Sequence, residues 1–161
     1  MKKVLLGAGC FWGVQDILKK QEGVAKTLVG YAGGIISNPS YKDICTGQTG
    51  HTEVVQVEFD ERKISFVEIL SVFFRLHDPT QLNRQGVDIG SQYRSAIYVE
   101  SETDLNEAKD FIESLDKKKI FENKIVTEVK IGEVFYVGEE YHQDYFDKNP
   151  NSGCHFLRPE L

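Results

Sequence analysis

The 161-residue chain predicts a single domain of the α/β or α+β class, a sheet with helices packed on it. Three observations lead there. Segments that alternate apolar and polar residues interleave with segments whose apolar residues recur at helical spacing. No internal repeat and no linker divides the chain. With 40% hydrophobic and 27% charged residues, it is able to bury one sizeable core.

Residues Lys2 to Gly7 read as a short, mostly buried strand. From Phe11 to about Glu22 a helix is expected, because Phe11, Val14, Ile17 and Leu18 share one face, and Gly23 is a natural stop. Val24 to Ala32 reads as a second strand, and Thr52 to Phe59 alternates clearly as a third. Ser65-Phe66-Val67-Glu68 is a capping-box signature. Behind it Phe66, Ile69, Leu70, Phe73 and Phe74 mark a helix. Gln92 to Val99 alternates again. Ser101 to Asp104 caps a helix carrying Leu105, Ala108, Ile112 and Leu115. Val126 to Ile131 predicts a further strand and Glu139 to Asp147 a short helix. Two connections, 33–51 and 78–91, are long and rich in specific polar and aromatic residues, which points to functional loops. The Pro-, Gly- and Asn-rich tail 148–161 is expected to be mobile.

A net charge of −6 provides no basic excess for nucleic acid or an anionic membrane surface. No apolar stretch is long enough to span a bilayer. "MKKVLLGAGC" imitates a lipoprotein signal, but its apolar run is much shorter than the roughly 7–15 residues of a signal core, and a cytoplasmic location is expected. Cys10, Cys45 and Cys154 are odd in number and widely spaced, so they form no disulfide framework. His51, His77, His142 and His155 are dispersed and give no local metal signature.

The chemistry concentrates in "GAGCFWGVQ". A helix beginning near Phe11 sets Cys10 by unpaired N–H groups and the positive end of the dipole, which favour the nucleophilic thiolate. Phe11 and Trp12 offer an apolar wall. A buried structural cysteine is the competing reading. Glu53 shares a strand face with Val55, Val57 and Phe59. A carboxyl at the mouth of that face is a neutral general acid; at a frayed strand end it is a solvated side chain. Tyr93, read on a strand with Ser95, Ile97 and Val99, is either core or a hydroxyl donor at the rim. Tyr41 and Asp88 lie in the two long loops and alone read as turn or surface residues. Cys154 on the tail suits a resolving thiol or is an incidental one. Cys45 is a spare or second resolving thiol, and His142 a helix-surface or packing residue.

"GCFWG" resembles the active-site motif of the A-type peptide methionine sulfoxide reductases. "GYAGG", "NPSY", "TGHTE", "HDPTQ", "QGVDIGSQYRSAIY" and "EEYHQDYFDKNP" follow in that family's order, so the resemblance spans Val4 to about Cys154. It implies a two-layer α/β sandwich with a ferredoxin-like core. It implies reduction of the S-epimer of methionine sulfoxide, free or within proteins, and no bound cofactor or metal. It makes Cys10 the nucleophile, with Phe11 and Trp12 around the substrate methyl. Glu53, Tyr41 and Tyr93 then surround the sulfoxide oxygen, assisted by Asp88. Cys154 becomes the resolving thiol of a monomer recycled by thioredoxin. The chain departs from the family pattern at Gln15, where glutamate is usual, at Gln48, and in ending soon after Cys154. Two other readings stay open: a cysteine hydrolase or acyltransferase pairing Cys10 with His51, and a binding module for an apolar side chain.

Overall fold

The computed structural model describes residues 1–150 and 153–161. In chain order its elements begin β1 (Lys2–Ala8), α1 (Phe11–Lys19), β2 (Val24–Ala32), α2 (Tyr41–Cys45), β3 (Thr52–Phe59) and α3 (Phe66–Arg75). They continue with β4 (Arg84–Gln85), β5 (Asp88–Ile89), β6 (Ser95–Val99), α4 (Glu102–Lys117), β7 (Glu128–Ile131), β8 (Tyr136–Val137) and α5 (Tyr145–Lys148).

Six strands form one mixed sheet in the order β7-β6-β1-β3-β2-β8, and β4 and β5 pair separately as a small hairpin. Every neighbouring pair in the large sheet is antiparallel except β6 and β7. The path β1-α1-β2-β3-α3-β6 with strand order β6-β1-β3-β2 is the ferredoxin-like core, to which α4 and β7 add a parallel edge. One face of the sheet presents Leu6, Val55, Val57 and Ile97, all fully buried with Val14, Leu18, Ile69 and Phe73 of the helices. A smaller cluster of Leu5, Ala32, Val54, Ala96 and Tyr98 with Phe135 occupies the other face.

Local signals act where the residues place them. Ser65 Oγ accepts from the Glu68 N–H at 3.1 Å, and the Glu68 carboxylate accepts from the Ser65 N–H at 3.2 Å, closing the capping box of α3. Ser101 caps α4 in the same sense. Ser40 and Asp43 close an equivalent box that starts α2 inside the first long loop, an element the alternation pattern does not reveal.

Four elements differ from the sequence expectation by two residues or more. Helix α1 stops at Lys19, where Gln21 N turns back onto the Leu18 carbonyl. Strand β6 begins at Ser95, because Gly90 at φ 142° turns Ser91–Tyr93 into a 3-10 turn; Tyr93 is therefore on a turn, not a strand face. The ladder of β7 starts at Glu128, two residues later than the pattern predicts. The helix expected over Glu139–Asp147 is split into a 3-10 turn at Glu140–His142 and the short α5. Gln143 breaks it by pairing with the β2 backbone: its Oε1 accepts from Val29 N and its Nε2 donates to Val29 O, both at 2.9 Å. Asp144 then takes a left-handed φ of 53°.

Of the tail 148–161, expected from composition to be mobile, residues 151 and 152 lie outside the described residues, and the segment 153–161 lies back along the body. Arg158 N donates to Arg75 O at 3.0 Å, Arg75 Nε donates to Arg158 O at 2.7 Å, and Leu157 and Leu161 pack on the core. Among the described residues, no helix is long and apolar enough to cross a membrane.

Truncating fully buried Leu6 to alanine in the central β1 is expected to destabilise the fold by about 2–5 kcal/mol. Ser65→Ala, which opens one capping box, is expected to cost about 1 kcal/mol. Urea denaturation of both variants checks the order.

Candidate active site

Cys10 stands at the join of β1 and α1. Gly9 before it adopts φ 91°, a conformation that side chains rarely take. A Cβ there would also meet the Gln85 Cβ at 2.8 Å. Cys10 itself is the N-cap residue of α1, half-buried. The sequence reading expects a thiolate at this helix terminus. In the structure, a hydrogen bond shared with the Cys154 thiol, and then burial, hold Cys10 well above the usual thiol pKa. The Trp12 N–H faces the sulfur without closing a cap bond. It and His155 act in the opposite direction and are outweighed.

Glu53 lies near the start of β3, only 2% exposed, so the neutral-acid environment rather than the solvated strand end is realised. Its Oε1 accepts from the Phe11 backbone N–H at 3.2 Å. The carboxyl thus plugs the first turn of the helix that Cys10 caps. Burial pushes its pKa well above the ordinary carboxyl value. Cys10 and Asp88 push the same way, and only the Phe11 N–H opposes them.

Tyr41 opens α2 and Tyr93 closes the 3-10 turn before β6. Both phenols are raised by burial first and then by the Glu53 carboxyl, so both lie within electrostatic reach of the same acid. Asp88 on β5 adds a charge felt by Glu53, Tyr93 and Cys154. Phe11 is buried at 1% exposure among Tyr31, Tyr41 and His142, with ring centroids 5.7, 6.4 and 5.1 Å away. Trp12 is partly exposed. Its ring stacks on Tyr145 at 3.8 Å and its Nε1 donates to His142 Nδ1 at 3.0 Å.

The sequence reading underrates two residues. His142, taken as a helix-surface or packing residue, is fully buried and fixes the Trp12 indole. Glu139, not singled out, accepts from Tyr31 Oη and from Tyr41 N, both at 2.8 Å. Burial works against its charge, but these two donors keep its carboxyl below the usual range. The acidic pair before "YHQDY" is the only sequence trace of that role.

Other expectations are displaced. Gln15, where a charge is missing, is buried and uses both ends of a neutral amide. Its Oε1 accepts from Asp144 N at 2.9 Å and its Nε2 donates to Thr27 Oγ1 at 3.2 Å. His51 has both ring nitrogens committed to the first long loop, Nδ1 accepting from Gly34 N at 3.0 Å and Nε2 meeting Ile36 O at 2.6 Å. It is no base for Cys10, which removes the geometric support for a hydrolase. Cys45 is exposed beside the Tyr41 hydroxyl, whereas it is Cys154 that reaches Cys10. Among the described residues, no group of three or more His, Cys, Asp or Glu side chains is arranged to hold a metal ion.

Fold and site define a class: a thiol-dependent oxidoreductase that sets a cysteine at a helix start beside a buried acid. The comparisons with known proteins give the family. The family model described as peptide methionine sulfoxide reductase matches residues 2–160. The chain is 47% identical to peptide methionine sulfoxide reductase MsrA of Methanothermobacter thermautotrophicus, over 98% of this chain and 93% of that protein. It is similar to reduced Mxr1 from Saccharomyces cerevisiae at 40% identity and TM-score 0.91, covering 98% and 92% of the two chains. Mxr1 in complex with Trx2 matches at 28% identity and TM-score 0.65, covering 98% and 89%. The chain belongs to the peptide methionine sulfoxide reductase family.

The raised pKa of Glu53 has a stability consequence. Above the free carboxyl value of 4.5, the folded state holds a proton that the unfolded state releases, so rising pH favours unfolding through this group. Glu53→Gln keeps an acceptor for the Phe11 N–H and removes the titration. Its melting temperature is expected to exceed that of the unsubstituted protein, by a margin that grows from acidic to mildly alkaline pH; melts across that range check the trend.

Proposed function

We propose that the chain reduces methionine S-sulfoxide, free or within proteins, through Cys10. The observation that carries this is the convergence of the Cys10 thiol, the buried neutral Glu53 and the Cys154 thiol at one helix start. A sulfoxide is a poor electrophile until its oxygen gains a proton. Glu53 has Oε1 occupied by the Phe11 N–H and Oε2 left to carry that proton. The hydroxyls of Tyr41 and Tyr93 stand around the same acid and donate to the sulfoxide oxygen as charge develops there, with Asp88 helping to keep Glu53 protonated. Partly exposed Trp12 borders the methyl group, and Phe11 backs that wall from the core.

The Cys10 thiolate attacks the sulfoxide sulfur and takes its oxygen. Methionine leaves and Cys10 becomes a sulfenic acid. The Cys154 thiolate then attacks the Cys10 sulfur, the S–O bond breaks, water leaves and a disulfide forms. Two thiols of an external dithiol reduce that disulfide. The complex of Mxr1 with Trx2 supports thioredoxin in this place. All the site side chains come from one chain, which fits a monomer, and three unpaired cysteines suit the reducing cytoplasm.

A single turnover without reductant tests the assignment. About one methionine per chain with the S-epimer alone, and two thiols lost, is the expected result. Cys10→Ser is expected to abolish methionine formation, and appreciable turnover by it would refute the nucleophile. Cys154→Ser is expected to yield one methionine and stall with thioredoxin. Glu53→Gln is expected to slow methionine formation by about 10²–10⁴-fold.

A further inference from the structure

The tail brings more than a second thiol to Cys10. Cys154 Sγ lies 3.2 Å from Nδ1 of the adjacent His155, and His155 Nε2 lies 2.7 Å from the Ala8 carbonyl oxygen. A carbonyl can only accept, so Nε2 carries a hydrogen and donates it. In the neutral ring Nδ1 is then a lone pair directed at the Cys154 sulfur. Ala8 is the last residue of β1, the strand end that presents Cys10. The ring is therefore anchored to the same turn as the thiol that Cys154 must reach.

Gly13 forms the seat for this pair. A Cβ at Gly13 would stand 2.6 Å from Cys154 Sγ and 2.5 Å from His155 Nδ1. The first turn of α1 thus accepts the tail only because residue 13 has no side chain. The surroundings make an ionised Cys154 need a partner. A hydrogen bond shared with Cys10 at the head of α1 holds the Cys154 thiol below its usual value, helped by the Gly13 N–H. Burial and then Asp88 on β5 work against its charge, and Glu53 on β3 faces it as a neutral acid. Once Cys10 is oxidised, that shared hydrogen bond between two thiols is gone. Beyond the ring lie His77, which burial lowers to about 3 and so keeps uncharged, with Asp78 and Arg158 beside it.

We propose that His155 is the general base of the resolving step, with Gly13 as the residue that seats it. This rests on the reading of Cys10 and Cys154 given above. Nδ1 takes the proton from Cys154, and the thiolate attacks the sulfur of the Cys10 sulfenic acid. The S–S bond forms as the S–O bond breaks. The departing hydroxide receives the proton from the imidazolium and leaves as water. The Cys154 sulfur is oxidised, the Cys10 sulfur is reduced, and the imidazole returns neutral.

His155→Gln separates base from anchor, because glutamine Nε2 still donates to Ala8 O but offers no basic nitrogen. Reduced protein is mixed with one equivalent of a methionine S-sulfoxide peptide and quenched at intervals. Methionine, trapped sulfenic acid and remaining thiols are counted across pH. The resolving rate is the conversion of sulfenic acid to disulfide, read only after methionine has formed. For His155→Gln this rate is expected to fall tenfold or more at about pH 6 and to converge on that of the unsubstituted protein near about pH 9, where a free thiol ionises unaided. Gly13→Ala is expected to slow resolution by the same factor at every pH, since it removes the seat and not the base. An unchanged rate in His155→Gln, or a loss as uniform with pH as that of Gly13→Ala, would overturn the proposal. Absence of methionine from the unsubstituted protein would instead overturn the reading of Cys10.

Discussion

The site depends on one buried carboxyl. Glu53 is sealed beneath the first turn of α1 and tied to it by a single hydrogen bond from the Phe11 N–H. A charged carboxylate in this place would face Cys10 and Asp88 with little solvent to screen it. The protein resolves the conflict by keeping the proton. That proton is what a sulfoxide oxygen needs in the proposed mechanism, where the electrostatic cost and the catalytic use would have the same origin. The helix terminus has a divided role: its first N–H group is given to Glu53, and the sulfur is faced only by the next, from Trp12.

The sheet and its main helices were legible because their signals are local. Alternation over Thr52–Phe59 and the boxed serine before α3 need no distant partner to be read. The same alternation showed that Glu53 shares the apolar face of Val55 and Val57, but not whether the strand end is covered; α1 and the loops decide that. Tyr93 was misread as a strand residue because the turn depends on the backbone of Gly90, which side-chain periodicity does not register. Glu139, His142 and His155 stayed hidden for a different reason. Their partners lie 98, 130 and 147 residues away, and nothing in a local window marks such a pairing.

Gln15 shows how a departure from a family pattern can be absorbed. The amide bridges Thr27 of β2 and Asp144 before α5 with a donor and an acceptor. A carboxylate could accept from Asp144 N but could not donate to Thr27. The neutral side chain therefore suits a buried position where both partners are already fixed, and the α1–β2 contact under the site does not depend on charge there.

The two cysteines divide their protons unequally, and this follows from the fold rather than from either thiol. A helix N-terminus alone would favour a thiolate at Cys10, yet the hydrogen bond with Cys154, and then burial, reverse that preference. The same contact lowers Cys154, which also has the Gly13 N–H and His155 beside it. With the tail docked, negative charge is thus steered to the thiol that has an imidazole at hand. Under the proposed mechanism, a substrate that took the place of Cys154 at Cys10 would remove the strongest influence holding Cys10 protonated and leave the Trp12 N–H to act on the sulfur. Arrival of the sulfoxide and activation of its nucleophile would then be one event in the proposed cycle, with Cys154 needed at the sulfur again only after the oxygen has been transferred.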